Sequence, residues 1–258
     1  MPTWNPDQYL KFSDERTRPC RDLAARIAIE RPRRIIDLGC GPGNSTAVLA
    51  EHWPGADIAG IDNSADMVAK ARASYPAINW SVGDIAVWAE SAGETYDIVF
   101  SNAALQWVPD HAVLFPKLLN RASPGGALAA QMPANLDAPA QAIMRDLAQS
   151  GRWRDRLAAV RNWFSHDFDF YYDALAPHAA ALELWSCEYV AKMNGVEGIV
   201  EWYRGTGLRP YLDALGEGTE SDAFLAEYLT LLRPAYRTHS DGKVIFPFRR
   251  IFVVAYRA

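Results

Sequence analysis

Cysteine is scarce: Cys20, Cys40 and Cys187 are the three in the chain. They are too few and too scattered for a disulfide framework or a metal-ligating spacing, so they read as reduced thiols of a cytoplasmic protein. Histidine is equally thin, with His52, His111, His166, His178 and His239 spread along the chain, and no metal site is expected. Long apolar runs are missing. Stretches such as Ile251 to Tyr256 fall far short of the roughly 20 residues that a membrane span requires. The polar, mixed-charge N-terminus lacks the pattern of a signal peptide. Positive charge is not in excess, since 26 Lys and Arg face 31 Asp and Glu for a net charge of −5. That balance gives no general field for nucleic acid, and Arg31-Pro32-Arg33-Arg34 reads as a solvated entry to the first strand. No internal repeat or low-complexity segment is present. What remains, 258 residues with 50% hydrophobic and 22% charged, suits an enzyme with one sizeable core and a small accessory subdomain.

The most informative stretch is Ile35-Ile36-Asp37-Leu38-Gly39-Cys40-Gly41-Pro42-Gly43-Asn44. It reads as a buried strand ending in an acid, then glycines at alternate positions. A helix then starts at Asn44-Ser45-Thr46, whose short polar side chains can cap free N–H groups. Alternating glycines let a ligand press against the backbone with no Cβ in the way, which suits a nucleotide-like cofactor. The dinucleotide fingerprint places its third glycine three residues after the second and sets a pyrophosphate over the helix N-terminus. Here the third glycine comes after two, Pro42 stiffens the loop, and Asp37 puts negative charge where a pyrophosphate is disfavoured. A carboxylate there suits a cationic ligand, such as the amino group of S-adenosylmethionine.

Strands are predicted over residues 35–38, 57–62, 78–82, 96–101 and 126–132, and helical spacing over 19–30, 45–51 and 65–74. Strands alternating with helices imply a parallel sheet with right-handed crossovers. After residue 135 the pattern changes. Residues 138–163 and 196–236 look helical and are rich in Trp, Tyr and Arg, whereas 182–193 and 246–256 are strand-like. The last two strands of such a fold commonly form an antiparallel hairpin that closes the sheet, so the helical pieces are placed as a lid. The expected organisation is a cofactor-binding core with an N-terminal covering helix over 1–134 and lid insertions over 135–181 and 194–243. Closing core strands then occupy 182–193 and 244–258.

The segment DLGCGPGNST (Asp37 to Thr46) resembles the first motif of class I S-adenosylmethionine-dependent methyltransferases. WNPDQYLKFSDERTRP (Trp4 to Pro19), LQWVPDHAVLFP (Leu105 to Pro116), AAQMPAN (Ala129 to Asn135) and TGLRPYL (Thr206 to Leu212) are similar to one subfamily, the trans-aconitate 2-methyltransferases. The resemblance spans most of the chain. It implies an α/β, Rossmann-like core with a mostly parallel seven-stranded sheet, helices on both faces and a helical lid. It also implies S-adenosylmethionine as cofactor, held by Asp37, Gly39, Gly41, Gly43 and Asn44. Asp62, at the end of the second strand, is placed to accept both ribose hydroxyls, with Asn63 beside it. Met67 packs either an adenine face or the core. Asp84 would accept from the adenine amino group, with Ile85 on the ring. Tyr9 and Phe12 share a helix face and would cover the cofactor near its sulfonium, or anchor a terminal helix. Asn102 and Ala103 follow the fourth strand at the carboxyl edge, where ligands of open α/β sheets sit.

On the acceptor side, the resemblance implies a small polycarboxylic acid, trans-aconitate, converted to a monomethyl ester with release of S-adenosylhomocysteine. Gln106 and Trp107 are candidates to position acceptor and sulfonium, Trp107 alternatively being structural. Arginine holds carboxylates with paired hydrogen bonds, which singles out Arg18 and Arg209, with Trp202 near the latter. Phe246-Pro247-Phe248-Arg249-Arg250 departs from the family pattern around its arginines, so which of them serves the acceptor is open. A carboxylate nucleophile is already ionised near neutral pH. No obligatory catalytic residue is therefore expected, and His111 reads as the start of a helix after Pro109-Asp110. Another small carboxylate acceptor is the alternative. A nicotinamide-dependent oxidoreductase also uses a glycine loop, and the glycine spacing argues against it. Asn102-Ala103-Ala104-Leu105 lacks the Asn-Pro-Pro-aromatic loop of nucleic-acid methyltransferases. No nucleic-acid, membrane or obligatory protein partner is expected.

Overall fold

The computed structural model describes residues 13–160 and 163–258, so Tyr9 and Phe12 lie outside the described residues. The strands are β1 (Arg34–Leu38), β2 (Asp57–Asp62), β3 (Asn79–Val82), β4 (Tyr96–Asn102), β5 (Ala122–Pro133), β6 (Ala179–Asn194) and β7 (Lys243–Arg257). They form one seven-stranded sheet in the order β3-β2-β1-β4-β5-β7-β6. The first five are parallel, and β7 runs antiparallel to β5. The mostly parallel α/β sheet is therefore as expected. In β1 the residues from Ile35 to Leu38 are all buried, because a central parallel strand is covered on both faces. β1 lies between β2 and β4, and there the chain reverses its direction of travel across the sheet. Such a switch point opens a crevice beyond the carboxyl ends of the strands.

Helix α1 (Ser13–Ala24) precedes the sheet; α2 (Asn44–His52), α3 (Ala65–Ser74), α4 (Ile85–Glu90) and α5 (His111–Asn120) are its crossovers. α1 begins before the expected residue 19 and contains Pro19. A proline removes one N–H bond from a helix, and here it does not end it. Side chains alternate across each strand. Ile36, Leu38, Val99, Leu128, Ala130 and Met132 pack with Leu114, Phe115 and Leu118 of α5 in one core cluster. By the same alternation Ile35, Asp37, Phe100, Asn102, Ala129 and Gln131 belong to the opposite face.

Two compact units divide the described residues. The larger takes residues 13–134, 164–187 and 250–258. It includes α8 (Phe168–Leu175), a helix that sequence patterning missed. Asp167 caps it by accepting from the Phe170 N–H at 3.0 Å. Tyr171 and Leu175, four apart and so on one helix face, are fully buried, and Tyr171 lies 4.8 Å from the Phe115 ring. The span expected as one insertion over 135–181 is thus split, and its last helix packs on the sheet. The interleaved Asp169 and Asp173 hide that apolar face in a linear reading.

The second unit takes residues 135–163 and 188–249. It contains α6 (Pro139–Ala148), α7 (Arg154–Leu157), α9 (Glu197–Arg204), α10 (Arg209–Leu215) and α11 (Thr219–Leu232). Its core is aromatic: Trp202 lies 5.0 Å from Phe248, and Trp153 meets Phe224 edge-on at 5.3 Å. Buried phenols need partners, and Tyr203 accepts from Asn135 Nδ2 while Tyr228 donates to the Ala140 carbonyl. Among the described residues no helix is long and apolar enough to cross a membrane.

Candidate cofactor and acceptor site

β1 delivers Asp37, fully buried, to the carboxyl edge of the sheet. Its Oδ2 accepts from Ser45 Oγ and Thr46 Oγ1, each at 2.6 Å. Its Oδ1 is buried with no hydrogen-bond partner. Burial raises the carboxyl pKa to about 6, with the two hydroxyls opposing the rise. A buried carboxylate oxygen without a partner is costly, and it marks a place for an incoming cation. These hydroxyls also correct the expected cap: the N-cap of α2 is Gly43, with no side-chain capping bond. Ser45 and Thr46 turn back to Asp37 instead, a role that sequence reasoning missed. The available signal was a pair of hydroxyl residues opening the helix that follows an acid-tipped strand.

The glycines of this loop differ in purpose. A Cβ on Gly39 would stand 2.1 Å from Ala104 Cβ, so its absence lets the β4–α5 loop close onto the β1–α2 loop. At Gly43 a Cβ would strike the Tyr75 ring at 2.8 Å. Only Gly41, with φ +55°, has nothing within 4 Å of that position, which leaves its backbone open to a ligand. Packing therefore accounts for two glycines that the sequence reading had assigned to ligand approach.

Asp62 ends β2 and is bound to the same loop. Its Oδ2 accepts from the Gly41 N–H and its Oδ1 from the Ser64 N–H, both at 2.9 Å. Burial raises its pKa, and those two donors oppose the rise. Asn63 is exposed, and Met67 is buried in α3 behind the Ser64 cap. Asp84 caps α4, its Oδ1 accepting from Ala86 and Val87 N–H groups. Ile85, next to it, is buried in the core cluster with Ile61.

The β4–α5 loop carries backbone strain. Ala103 and Asp110 are the two non-glycine residues with positive φ among the described residues, and they bracket this loop. Such strain concentrates at functional sites. Gln106 Nε2 donates to the Ala103 carbonyl at 2.7 Å, whereas Gln106 Oε1 is buried without a partner. Trp107 is half-buried. His111 opens α5 as expected. Its Nε2 lies 2.9 Å from the Leu105 carbonyl, which can only accept, so Nδ1 accepts from the Tyr171 hydroxyl at 2.8 Å. Burial lowers the His111 pKa. Both ring nitrogens thus hold the loop to α8 in the neutral state. Asn102 and Gln131 are register partners on β4 and β5, and Asn102 Oδ1 and Gln131 Nε2 are also buried without partners.

Arg18 is exposed on α1. Trp202 and Arg209 belong to the second unit. Trp202 is buried in its aromatic core, and Arg209 Nε pairs with Asp213 Oδ1 at 3.0 Å. The sequence grouped these three with Gln106 and Trp107; within the larger unit the structure ties Gly41 to Asp62, sets Gly39 against Ala104 and ties Gln106 to Ala103.

A family model described as a methyltransferase domain matches residues 35–126, which holds β1 to β4 and both loops. The trans-aconitate 2-methyltransferase of Azoarcus sp. (strain BH72) is 50% identical over 258 residues, covering 100% of both chains. The chain belongs to the trans-aconitate 2-methyltransferase family. The family protein of Rhodopseudomonas palustris (strain BisA53) is 46% identical, covering 99% of each chain. The fold recurs in the YcgJ protein from Bacillus subtilis, with a TM-score of 0.60 at 12% identity, covering 93% of this chain and 98% of that one. Membership in this methyltransferase family excludes the oxidoreductase alternative that the glycine spacing had already disfavoured.

Proposed function

We propose that this chain transfers a methyl group from S-adenosylmethionine to a carboxylate of trans-aconitate, giving the monomethyl ester and S-adenosylhomocysteine. Family membership supports the reaction. The observation that carries the site is Asp37 Oδ1, a buried carboxylate oxygen with no partner at the switch point of the sheet, fitted to a cationic amino group. Once bound, the cofactor supplies an electrophilic methyl carbon whose bond to sulfur breaks as the carboxylate attacks. The remaining work falls to the chain. Asp62, positioned by two backbone donors, keeps lone pairs for the ribose hydroxyls. Asp84, exposed and using one oxygen for its cap, has a second oxygen for the adenine amino group, with Ile85 beside it. Gly41 and Asn44 line the loop on the methionine side.

The acceptor needs no base, because a carboxylate with a pKa of about 4 is ionised at neutral pH. His111 is accordingly free to serve as a structural tie. Asn102 at the end of β4 and Gln106 and Trp107 on the strained loop stand where alignment matters; well-oriented reactants alone can remove roughly 7–11 kcal/mol of the barrier. The charge of the reacting carboxylate is lost in the transition state, so a clamp on it would retard attack. Arginine belongs on the carboxylates that do not react. The test is incubation of the purified protein with S-adenosylmethionine and a panel of di- and tricarboxylic acids, read by mass spectrometry. A monomethyl ester formed preferentially from trans-aconitate is the expected product; transfer to none of the acids refutes the assignment.

A further inference from the structure

Gln131 and Arg250 carry a second, unassigned polar feature of the carboxyl edge. Gln131 is 1% exposed and its Nε2 has no partner. Across β7 it is paired with Phe252, and Pro133 with Arg250. Directly opposed residues point to one face of a sheet, so Arg250 stands on the face of Gln131 and Asn102, beside the last residue of β5. Ile251 and Val253, its alternating neighbours, lie in the core cluster of the opposite face. Arg250 is 9% exposed although it is an arginine. It is one strand across and two residues along from Gln131, roughly 8 Å between Cα atoms from ordinary strand spacings. Trp185 stacks on Phe252 at 4.7 Å, giving this end of the row an apolar wall.

Charge is sorted along the same edge. The acids Asp84, Asp62 and Asp37 follow or end β3, β2 and β1, on one side of the switch point, and Arg250 lies on the other, beyond β4 and β5. A cationic cofactor and a polyanionic acceptor that must meet in line are drawn to opposite sides by that arrangement. Guanidinium groups take carboxylates with two parallel hydrogen bonds, and a buried amide N–H without a partner demands an acceptor. We propose that Arg250 and Gln131 together bind a non-reacting carboxylate of the acceptor, and so select polycarboxylates over monocarboxylates. The inference rests on the methyltransferase reading above, and it moves the clamp from Arg209 to β7, where Arg250 shares a face with Gln131 and Asn102.

Binding can be read apart from turnover. Trans-aconitate is titrated by calorimetry into protein saturated with S-adenosylhomocysteine, using wild type, Arg250→Gln, Arg250→Lys and Gln131→Leu. Arg250→Gln is expected to weaken trans-aconitate binding at least tenfold and Gln131→Leu at least threefold, with S-adenosylhomocysteine affinity held within twofold. Arg250→Lys keeps the stem and charge, and so the fold, but loses the fork; it is expected to weaken binding at least threefold. Wild-type affinity for trans-aconitate in Arg250→Gln, or equal losses of both ligands in every variant, overturns the proposal. If wild type binds trans-aconitate and loses it in these variants but forms no ester with S-adenosylmethionine, the acceptor site stands and the reaction assignment falls.

Discussion

Replacing Asp37 with Asn should stabilise the ligand-free protein while crippling cofactor binding, and both effects can be sized. Burial raises the carboxyl pKa from 3.8 to about 6. That is roughly a hundredfold in proton affinity, or about 3 kcal/mol. The folded carboxyl holds its proton more tightly than the unfolded one, so between these pH values the folded state binds more protons. Stability therefore falls as pH rises through that window. The cost is absent below about pH 4 and complete above about pH 6 to 7. Asparagine keeps an oxygen for Ser45 or Thr46 and never ionises. Asp37→Asn should therefore exceed wild type at pH 7 by up to about 3 kcal/mol, an increase of roughly 5–10 °C in Tm for a protein of this size. The gap should close toward pH 4. The same change removes the charge proposed to meet the cofactor's amino group, and breaking a buried ion pair on one side costs about 3–5 kcal/mol. S-adenosylmethionine binding should weaken at least a hundredfold. Scanning calorimetry without ligand at pH 4, 5, 6 and 7, paired with titration calorimetry at pH 7, reads both quantities. Wild-type stability at every pH, or wild-type cofactor affinity, would refute the reasoning.

Asp62→Ala should weaken S-adenosylmethionine ten- to a hundredfold, since charge-assisted bonds contribute about 1.5–3 kcal/mol; unchanged affinity by calorimetry contradicts the ribose role. Gly39→Ala forces a contact of 2.1 Å with Ala104 Cβ at a φ of +72°. It should lower Tm, and Ala104→Gly should recover part of the loss; strictly additive effects in the double-mutant cycle would remove the proposed loop contact. With both substrates saturating, the single-turnover rate should stay flat from about pH 7 to 9, because a carboxylate acceptor needs no deprotonation there. His111→Ala should lower stability by loosening the Leu105–Tyr171 tie yet leave that plateau flat. A rate rising tenfold per pH unit between 6 and 8 means that a base is at work.

The sequence by itself determined several of the local elements around the candidate cofactor site. β2 and α3 have the predicted limits, 57–62 and 65–74, because strand patterning and the Ser64 cap are written in neighbouring residues. The acid-tipped strand with its glycine loop was legible for the same reason: backbone geometry restricts which residues a turn accepts. Tertiary structure decided the rest. Ser45 and Thr46 turned from capping to hold Asp37, and Gly39 is small because Ala104, from a distant loop, packs against it. α8 joined the sheet through Tyr171 and Leu175. The row of Asn102, Gln131 and Arg250 exists only once β7 has entered the sheet beside β5 in a fixed register. A period of two reveals which residues share a face of their own strand. It says nothing of which strands become neighbours, and that order is set by long-range packing rather than by any local stretch of chain.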